Sequence, residues 1–123
     1  LPYTLSHPSA IDRKSLEAGR AYHEPMLFRD CGSYYTRGFA PVNVAMITVA
    51  PMDRHGNFSF GLTNGCTQEM LDAAETIIVE VNPNMPVVFG MGSDHNHVSK
   101  VQVIVESKVA GSLAPNGVRS AID

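Results

Sequence analysis

The chain has 123 residues, which suits one domain with its own core, and its net charge of −3 argues against a nucleic-acid or anionic-membrane partner. Hydrophobic residues make up 44% of the composition, which is typical of a folded chain rather than a disordered one. No apolar run approaches the roughly 18 residues of a membrane helix, and no signal-peptide pattern is present, so a cytoplasmic location is expected.

The first third of the chain predicts only short elements. Residues 1–14 contain two prolines and are expected to be irregular or edge-like. Three elements are predicted after them: a helix over residues 15–21 with Ser15 as its N-cap, a strand over 26–28 and a helix over 34–38. Tyr34 and Tyr35 are interpreted as packing residues.

Stronger hydrophobic patterns begin at residue 42. Buried strands are predicted over residues 42–49, 77–81 and 101–106, with a helix over 67–76 that has Thr67 as its N-cap. Asn43 is the only strongly polar residue of the first of these strands, so both of its faces are expected to be covered. The order of strand, helix and strand predicts crossover connections. The sequence therefore indicates an α/β fold, with a mostly parallel sheet and flanking helices.

Polar residues cluster where the first two of these strands end. The candidate binding residues are Asp53, His55 and Gly56 in the turn after the first strand, and Asn82 and Met85 in the turn after the second. Ligands bind at the carboxyl ends of strands in open α/β sheets, so the two turns are expected to form one polar rim. The alternative is local: Asp53 and His55 satisfy the backbone of their turn, and Asn82 caps a broken strand.

Four segments carry a resemblance to a known family. They are VNVAMITVAPMDRHGNFSFG at 42–61, IIVEVNPNMP at 77–86, HVS at 97–99 and IVES at 104–107. In this order and spacing they resemble the acetyl-CoA hydrolase/transferase family. The resemblance implies a partial CoA-transferase first domain over residues 1–109, and a linker over 110–123 toward a second, catalytic domain. Residues 87–96 depart from the family pattern and are about two residues longer.

The resemblance also implies the chemistry. Members of the family move CoA between carboxylic acids, here butyryl- or 4-hydroxybutyryl-CoA and acetate, through a glutamyl-CoA thioester. Glu24, Glu80 and Glu106 do not lie in the context of the nucleophile, so no catalytic residue is expected in this chain. Coenzyme A would enter as a substrate, with its main contacts outside the chain, and the polar rim would orient a small carboxylate.

The expected partners are the acyl-CoA, the carboxylate and the remaining part of the same enzyme, in a homo-oligomer. Two alternatives stay open. The protein could be an acetyl-CoA hydrolase of the same family, or the chain could be a non-catalytic half-domain that packs on a separate catalytic subunit.

Two further groups are interpreted conservatively. Asp94, His95 and His97 invite a metal site, but no further ligand has fitting spacing, so no metal is predicted. Cys31 and Cys66 lie far apart in the sequence and are interpreted as two reduced thiols.

Overall fold

The computed structural model describes residues 2–10, 12–62 and 64–107. The elements in chain order are β1 (Tyr3–Leu5), α1 (Arg13–Glu17), β2 (Ala21–His23), a 3-10 turn (Phe28–Asp30), α2 (Cys31–Thr36), β3 (Val42–Val49), β4 (Asn57–Ser59), α3 (Thr67–Ala73), β5 (Ala74–Val81), β6 (His95–His97), a second 3-10 turn (Val98–Lys100) and β7 (Val103–Glu106). The predicted linker over 110–123 lies outside the described residues. Within them, no helix has the length and apolar character to cross a membrane.

A three-stranded parallel sheet with the order β3-β5-β7 organises the fold. Its central strand β5 pairs with β3 from Ala74 opposite Val42 to Val81 opposite Val49. The prediction of an α/β fold with a mostly parallel sheet is confirmed. All three strands run in one direction, so their carboxyl ends lie at the same edge of the sheet.

The core lies on one face of this sheet. Ala45, Val49, Ile77 and Val79 point to this face, where Leu71 of α3 and the rings of Phe58 and Phe60 pack against them. Burial of each large apolar side chain of this kind contributes about 1.5–3 kcal/mol. The helix predicted to face the sheet therefore does so, and the aromatic strand β4 completes the layer.

The opposite face of the sheet is uncovered among the described residues, so the expectation that both faces of β3 are buried was wrong. Val44 and Met46 are 49% and 75% exposed, and Val105 of β7 is 47% exposed. Successive side chains of a strand point to opposite faces, so Ala45 and Val49 are buried and Ile47 is half-buried on the core face, while Val44 and Met46 stay exposed on the other. We call this surface the open face.

The junction between α3 and β5 differs from the prediction. The helix ends at Ala73 rather than at residue 76, and Ala74 already has extended backbone angles. Residues 74–76 belong to β5 because Ala74 and Thr76 pair with Val42 and Val44 of the long neighbouring strand. Cys66, not Thr67, is the N-cap, and no side chain caps the helix there. Helix α3 therefore passes into β5 with no linking residue.

The last strand starts two residues later than predicted, at Val103. Before it, the backbone N–H of Val101 donates to the carbonyl of Val98 and closes a 3-10 turn. Gln102 then bonds twice to Ile77: its N–H donates to the Ile77 carbonyl, and its side-chain oxygen accepts from the Ile77 N–H at 2.6 Å. This contact begins the pairing of β7 with β5.

The N-terminal predictions needed several corrections. Of the two alternatives for residues 1–14, residues 3–5 follow the edge-like one: they form the short strand β1, which pairs in parallel with β2 in a two-stranded sheet. Helix α1 begins at Arg13, before Ser15, because Asp12 accepts hydrogen bonds from the N–H and hydroxyl of Ser9 and closes a turn there. The helix ends at Glu17, and Gly19 follows with a φ of +66° that takes the chain out of the helical conformation.

The chain is helical from Phe28 to Thr36. The strand predicted over 26–28 is absent, and a 3-10 turn from Phe28 runs directly into α2 at Cys31, three residues before the predicted start. Gly38, with a φ of +75°, follows the helix as expected. The ring of Tyr34 packs edge-on against Tyr35 and stacks on Phe39, which supports a packing role for these side chains.

Candidate functional site

The two predicted turns lie together at the carboxyl edge of the sheet. The N–H of Asn82 donates to the carbonyl of Val49 at 2.9 Å, which joins the end of β5 to the end of β3. The N–H of Ala50 donates to the carbonyl of Ser59 at 3.0 Å and anchors the returning strand β4. Parallel pairing therefore brings the turns together as the sequence predicted.

Asp53 is held by its own turn. Its Oδ1 accepts from the N–H groups of Asn57 and His55, each at 2.8 Å. These hydrogen bonds, that of the Asn57 backbone foremost, lower the pKa of the exposed Asp53 carboxyl. Gly56 has a φ of +84°, and its carbonyl accepts from the N–H of Val98. The contacts of Asp53 and Gly56 are those of the local alternative, in which the turn backbone is satisfied.

His55 is different, because the turn uses its backbone and not its ring. The side chain is exposed, and its Nε2 lies 3.1 Å from Nε of Arg54. The Arg54 Nε–H can only donate, so Nε2 accepts and the neutral ring carries its proton on Nδ1. That Nδ1–H has no partner among the described residues. His55 is thus free to donate a hydrogen bond to a ligand oxygen.

Asn82 and Met85 form the second turn but do not share a cavity with Asp53. Asn82 is buried, and its side-chain oxygen accepts from the N–H of Asn84 at 2.9 Å. Met85 packs against Gly61 and lines a cavity of about 270 Å³ with Ile47 and Phe60. Asp53 and Met85 therefore line separate cavities, His55, Gly56 and Asn82 line neither of these two, and the candidate residues do not form one rim.

The first of these, which we call the Asp53 cavity, has a volume of about 310 Å³. It is lined by Pro51, Asp53, Asn57, Ser59, Val87, Val88, Phe89, Asp94 and His95. The Ser59 hydroxyl donates to the carbonyl of Val88 at 3.2 Å and so fixes the apolar segment 87–89 over β4. Sequence reasoning missed this wall, because Val87, Val88 and Phe89 belong to no regular element.

An acid–histidine pair stands in the Asp53 cavity. Nδ1 of His95 lies 2.5 Å from Oδ1 of Asp94, and Oδ2 of Asp94 accepts from the N–H of Gly90. The Gly90 hydrogen bond, followed by that of His95, lowers the pKa of the Asp94 carboxyl. With Nδ1 bonded to the carboxylate, Nε2 of His95 is left for a ligand. The pairing of Ser59 with His95 across β4 and β6 places the pair here.

The remaining chemical groups have structural partners. The imidazole of His97 accepts from the N–H of Ser99 and caps the second 3-10 turn. Glu80 accepts from the Thr48 hydroxyl on the open face, and Glu24 accepts from the Tyr34 hydroxyl at 2.6 Å. In the part of the chain that the structure describes, no group of three or more metal-binding side chains occurs.

Comparisons with known proteins agree on one family. The model of the acetyl-CoA hydrolase/transferase N-terminal domain matches residues 2–110. The butyryl-CoA:acetate CoA-transferase of Anaerostipes caccae is 37% identical over 119 residues, which cover 95% of this chain and 27% of that protein. The 4-hydroxybutyrate coenzyme A transferase of Clostridium kluyveri is 37% identical over 95 residues, or 77% of this chain and 22% of its own.

Solved structures show the same likeness. RipA from Yersinia pestis superposes with a TM-score of 0.72 at 32% identity, over 88% of this chain and 26% of that one. A 4-hydroxybutyrate CoA-transferase from Porphyromonas gingivalis gives a TM-score of 0.65 at 25% identity, over 87% and 28%. The chain thus spans about a quarter of the length of the relatives it matches.

Proposed function

Because this chain belongs to the acetyl-CoA hydrolase/transferase family, we propose that its protein moves CoA between a short-chain acyl-CoA and acetate. The observation that carries the proposal is 37% identity to a butyryl-CoA:acetate CoA-transferase over 95% of the chain. Butyryl-CoA and 4-hydroxybutyryl-CoA are the proposed acyl donors, since relatives named for these acids match most of the chain. A cytoplasmic location and a homo-oligomeric assembly stay predictions of the sequence.

The proposed mechanism exchanges the thioester through a glutamyl-CoA intermediate whose glutamate lies outside this chain. A carboxylate nucleophile must reach the acyl carbon, and nearby donors must stabilise the oxyanion that forms. Glu80 is bonded to Thr48 on the open face, and Glu24 is bonded to Tyr34. None of the residues that line the Asp53 cavity in the described part of the chain is a glutamate. These placements support a nucleophile supplied by the rest of the enzyme, which would also hold most of the CoA.

This chain would form one wall of the substrate site. His55 would donate its unused Nδ1–H to a carboxylate oxygen of the substrate, while Asp53 and Gly56 hold the turn that presents it. Asn82 would fix the neighbouring turn, and Met85 would pack beside it. The chemistry is hydrogen bonding and orientation, which lower the barrier only if they persist in the transition state.

The direct test uses the full-length enzyme. Incubation with butyryl-CoA and acetate should produce acetyl-CoA and butyrate, whereas omission of acetate should leave butyryl-CoA intact. Release of free CoA thiol without acetate would instead identify the hydrolase alternative. If no short-chain acyl-CoA exchanges CoA with any carboxylate, the proposed function is wrong.

The role of His55 is tested separately in the same assay. His55→Ala should lower kcat/KM by roughly ten- to a thousandfold, or about 1.4–4 kcal/mol. His55→Asn should retain part of the activity, since its amide N–H replaces the Nδ1–H. His23→Ala removes an exposed histidine of β2 and is the matched control. Unchanged kinetics in folded His55→Ala would leave the ring without a role in substrate orientation.

A further inference from the structure

Two cysteines that are distant in the sequence meet between α2 and α3. Cys31 opens α2 and is buried, and Cys66 directly precedes α3. Their sulfur atoms lie 2.7 Å apart, although 35 positions separate them, and both are free thiols. The sequence predicts two reduced thiols but not their contact, because the packing of the two helices has no local signal.

The backbone around the pair is closely packed. A Cβ at Gly32, next to Cys31, would lie 3.0 Å from the side chain of Glu69, and a Cβ at Gly65, next to Cys66, would lie 3.0 Å from the ring of Phe28. Both cysteines are therefore flanked by glycines at points of close approach. The thiols therefore meet where α2 packs closely against the start of α3.

A small molecule can reach the pair from one side. Cys66 lines a cavity of about 350 Å³, together with Phe28, Gly32, Gly65 and Glu69. Burial, and then the hydrogen bond with Cys31, raise the pKa of the Cys66 thiol to about 12. The two thiols are thus in contact, and Cys66 lines the cavity.

We propose that Cys31 and Cys66 are an oxidisable dithiol, which a low-molecular-weight disulfide converts into an intramolecular disulfide that joins α2 to α3. This site is independent of the proposed transferase chemistry, and no residue of the Asp53 cavity takes part in it.

The exchange proceeds in two balanced steps. One cysteine, as its thiolate, attacks a sulfur of the reagent RSSR, forms a mixed disulfide and releases RS⁻. The other cysteine loses its proton and attacks the protein sulfur of that mixed disulfide, which expels a second RS⁻. The two protein thiols have then lost two electrons and two protons, and the reagent has gained them as two RSH. Because the two cysteines are already in contact, the intramolecular disulfide forms before the mixed disulfide accumulates.

The experiment incubates the reduced, folded full-length protein with oxidised glutathione and maps its peptides by mass spectrometry. A cross-linked peptide containing Cys31 and Cys66 is expected, with a mass about 2 Da below that of the two thiol peptides, and dithiothreitol should reverse it. Cross-linked product should exceed the glutathione adducts of these cysteines. The same reaction in urea should lower the ratio of cross-linked product to glutathione adducts at least about tenfold, because unfolding separates the two thiols.

The variants Cys31→Ser and Cys66→Ser complete the test. Each should form no cross-link, and Cys31→Ser should accumulate a glutathione adduct on Cys66, which lines the cavity. Phenylarsine oxide, which needs two adjacent thiols, should protect both cysteines of the wild type from oxidation. The proposal is overturned if the folded wild type keeps both thiols at equilibrium, or if the cross-link forms only in urea.

Discussion

The packing of Met85 against Gly61 makes a quantitative test of the second turn. Gly61 follows β4, with a φ of +71° that side chains rarely adopt. A Cβ added there would lie 2.7 Å from Cγ of Met85, and its sulfur would be nearer still. Gly61→Ala therefore combines a backbone penalty with a steric one.

The two contributions can be separated by magnitude. The left-handed conformation costs a non-glycine residue about 1–2 kcal/mol. Displacement of the Met85 side chain from its packed position adds about 1–3 kcal/mol. Gly61→Ala is thus expected to lower the free energy of unfolding by about 2–5 kcal/mol, measured by urea denaturation from the midpoint and slope.

Gly38→Ala is the matched control. Its φ of +75° is nearly that of Gly61, but no heavy atom lies within 4 Å of the added Cβ. Gly38→Ala should therefore lower the free energy of unfolding by about 1–2 kcal/mol, from the backbone conformation alone. Combining Gly61→Ala with Met85→Ala should recover the steric part as a coupling energy. Equal losses for Gly61→Ala and Gly38→Ala, or no coupling with Met85, would refute the reasoning.

Two further predictions concern stability. Leu71→Ala should lower the free energy of unfolding by about 2–5 kcal/mol, because Leu71 is 2% exposed in the core. Leu62 is exposed, so Leu62→Ala should change this free energy by no more than about 0.5 kcal/mol in the same urea titration. Equal losses for the two variants would contradict the core assignment. The pKa of Asp53 in the folded chain lies below its usual 3.8. The ionised carboxylate therefore contributes fully to the free energy of unfolding above the pKa of the unfolded chain, and this contribution is lost as the pH falls through the pKa of the folded chain. Thermal unfolding below about pH 4 should thus be less pH-dependent in Asp53→Asn than in the wild type, and parallel curves would be evidence against this role.

The sheet could be predicted from the sequence because its strands carry strong local signals. The apolar runs around Val49, Val79 and Val105 are separated by a helical segment and by turns, which predicts parallel order. The predicted ends of elements were wrong where pairing with another strand determines them. Residues 74–76 suit a helix by spacing, but pairing with β3 makes them a strand. The pairing of β1 could not be predicted because its partner β2 lies beyond an intervening helix.

The candidate site was predictable only in part. Strand order placed the turns of Asp53 and Asn82 together, and the tendency of aspartate to bond its own turn was foreseen as an alternative. The cavity wall at Val88 could not be predicted, because a hydrogen bond from the Ser59 hydroxyl, 29 positions earlier in the chain, holds it in place. Contacts of this kind leave no periodic trace in a sequence.

The direct passage of α3 into β5 also determines where the chain tolerates changes of length. One residue inserted after Ala73 would shift the register of β5 by one position, so that Ile77 and Val79 would leave the core face and Thr76 and Ile78 would take their places. Segment 87–93 has no such constraint, since its residues are exposed and belong to no strand. The departure from the family pattern falls in that region, where additional residues lengthen a cavity wall without moving the sheet. Evolutionary insertions and deletions are therefore expected to reshape the Asp53 cavity long before they reach the junction at Ala73.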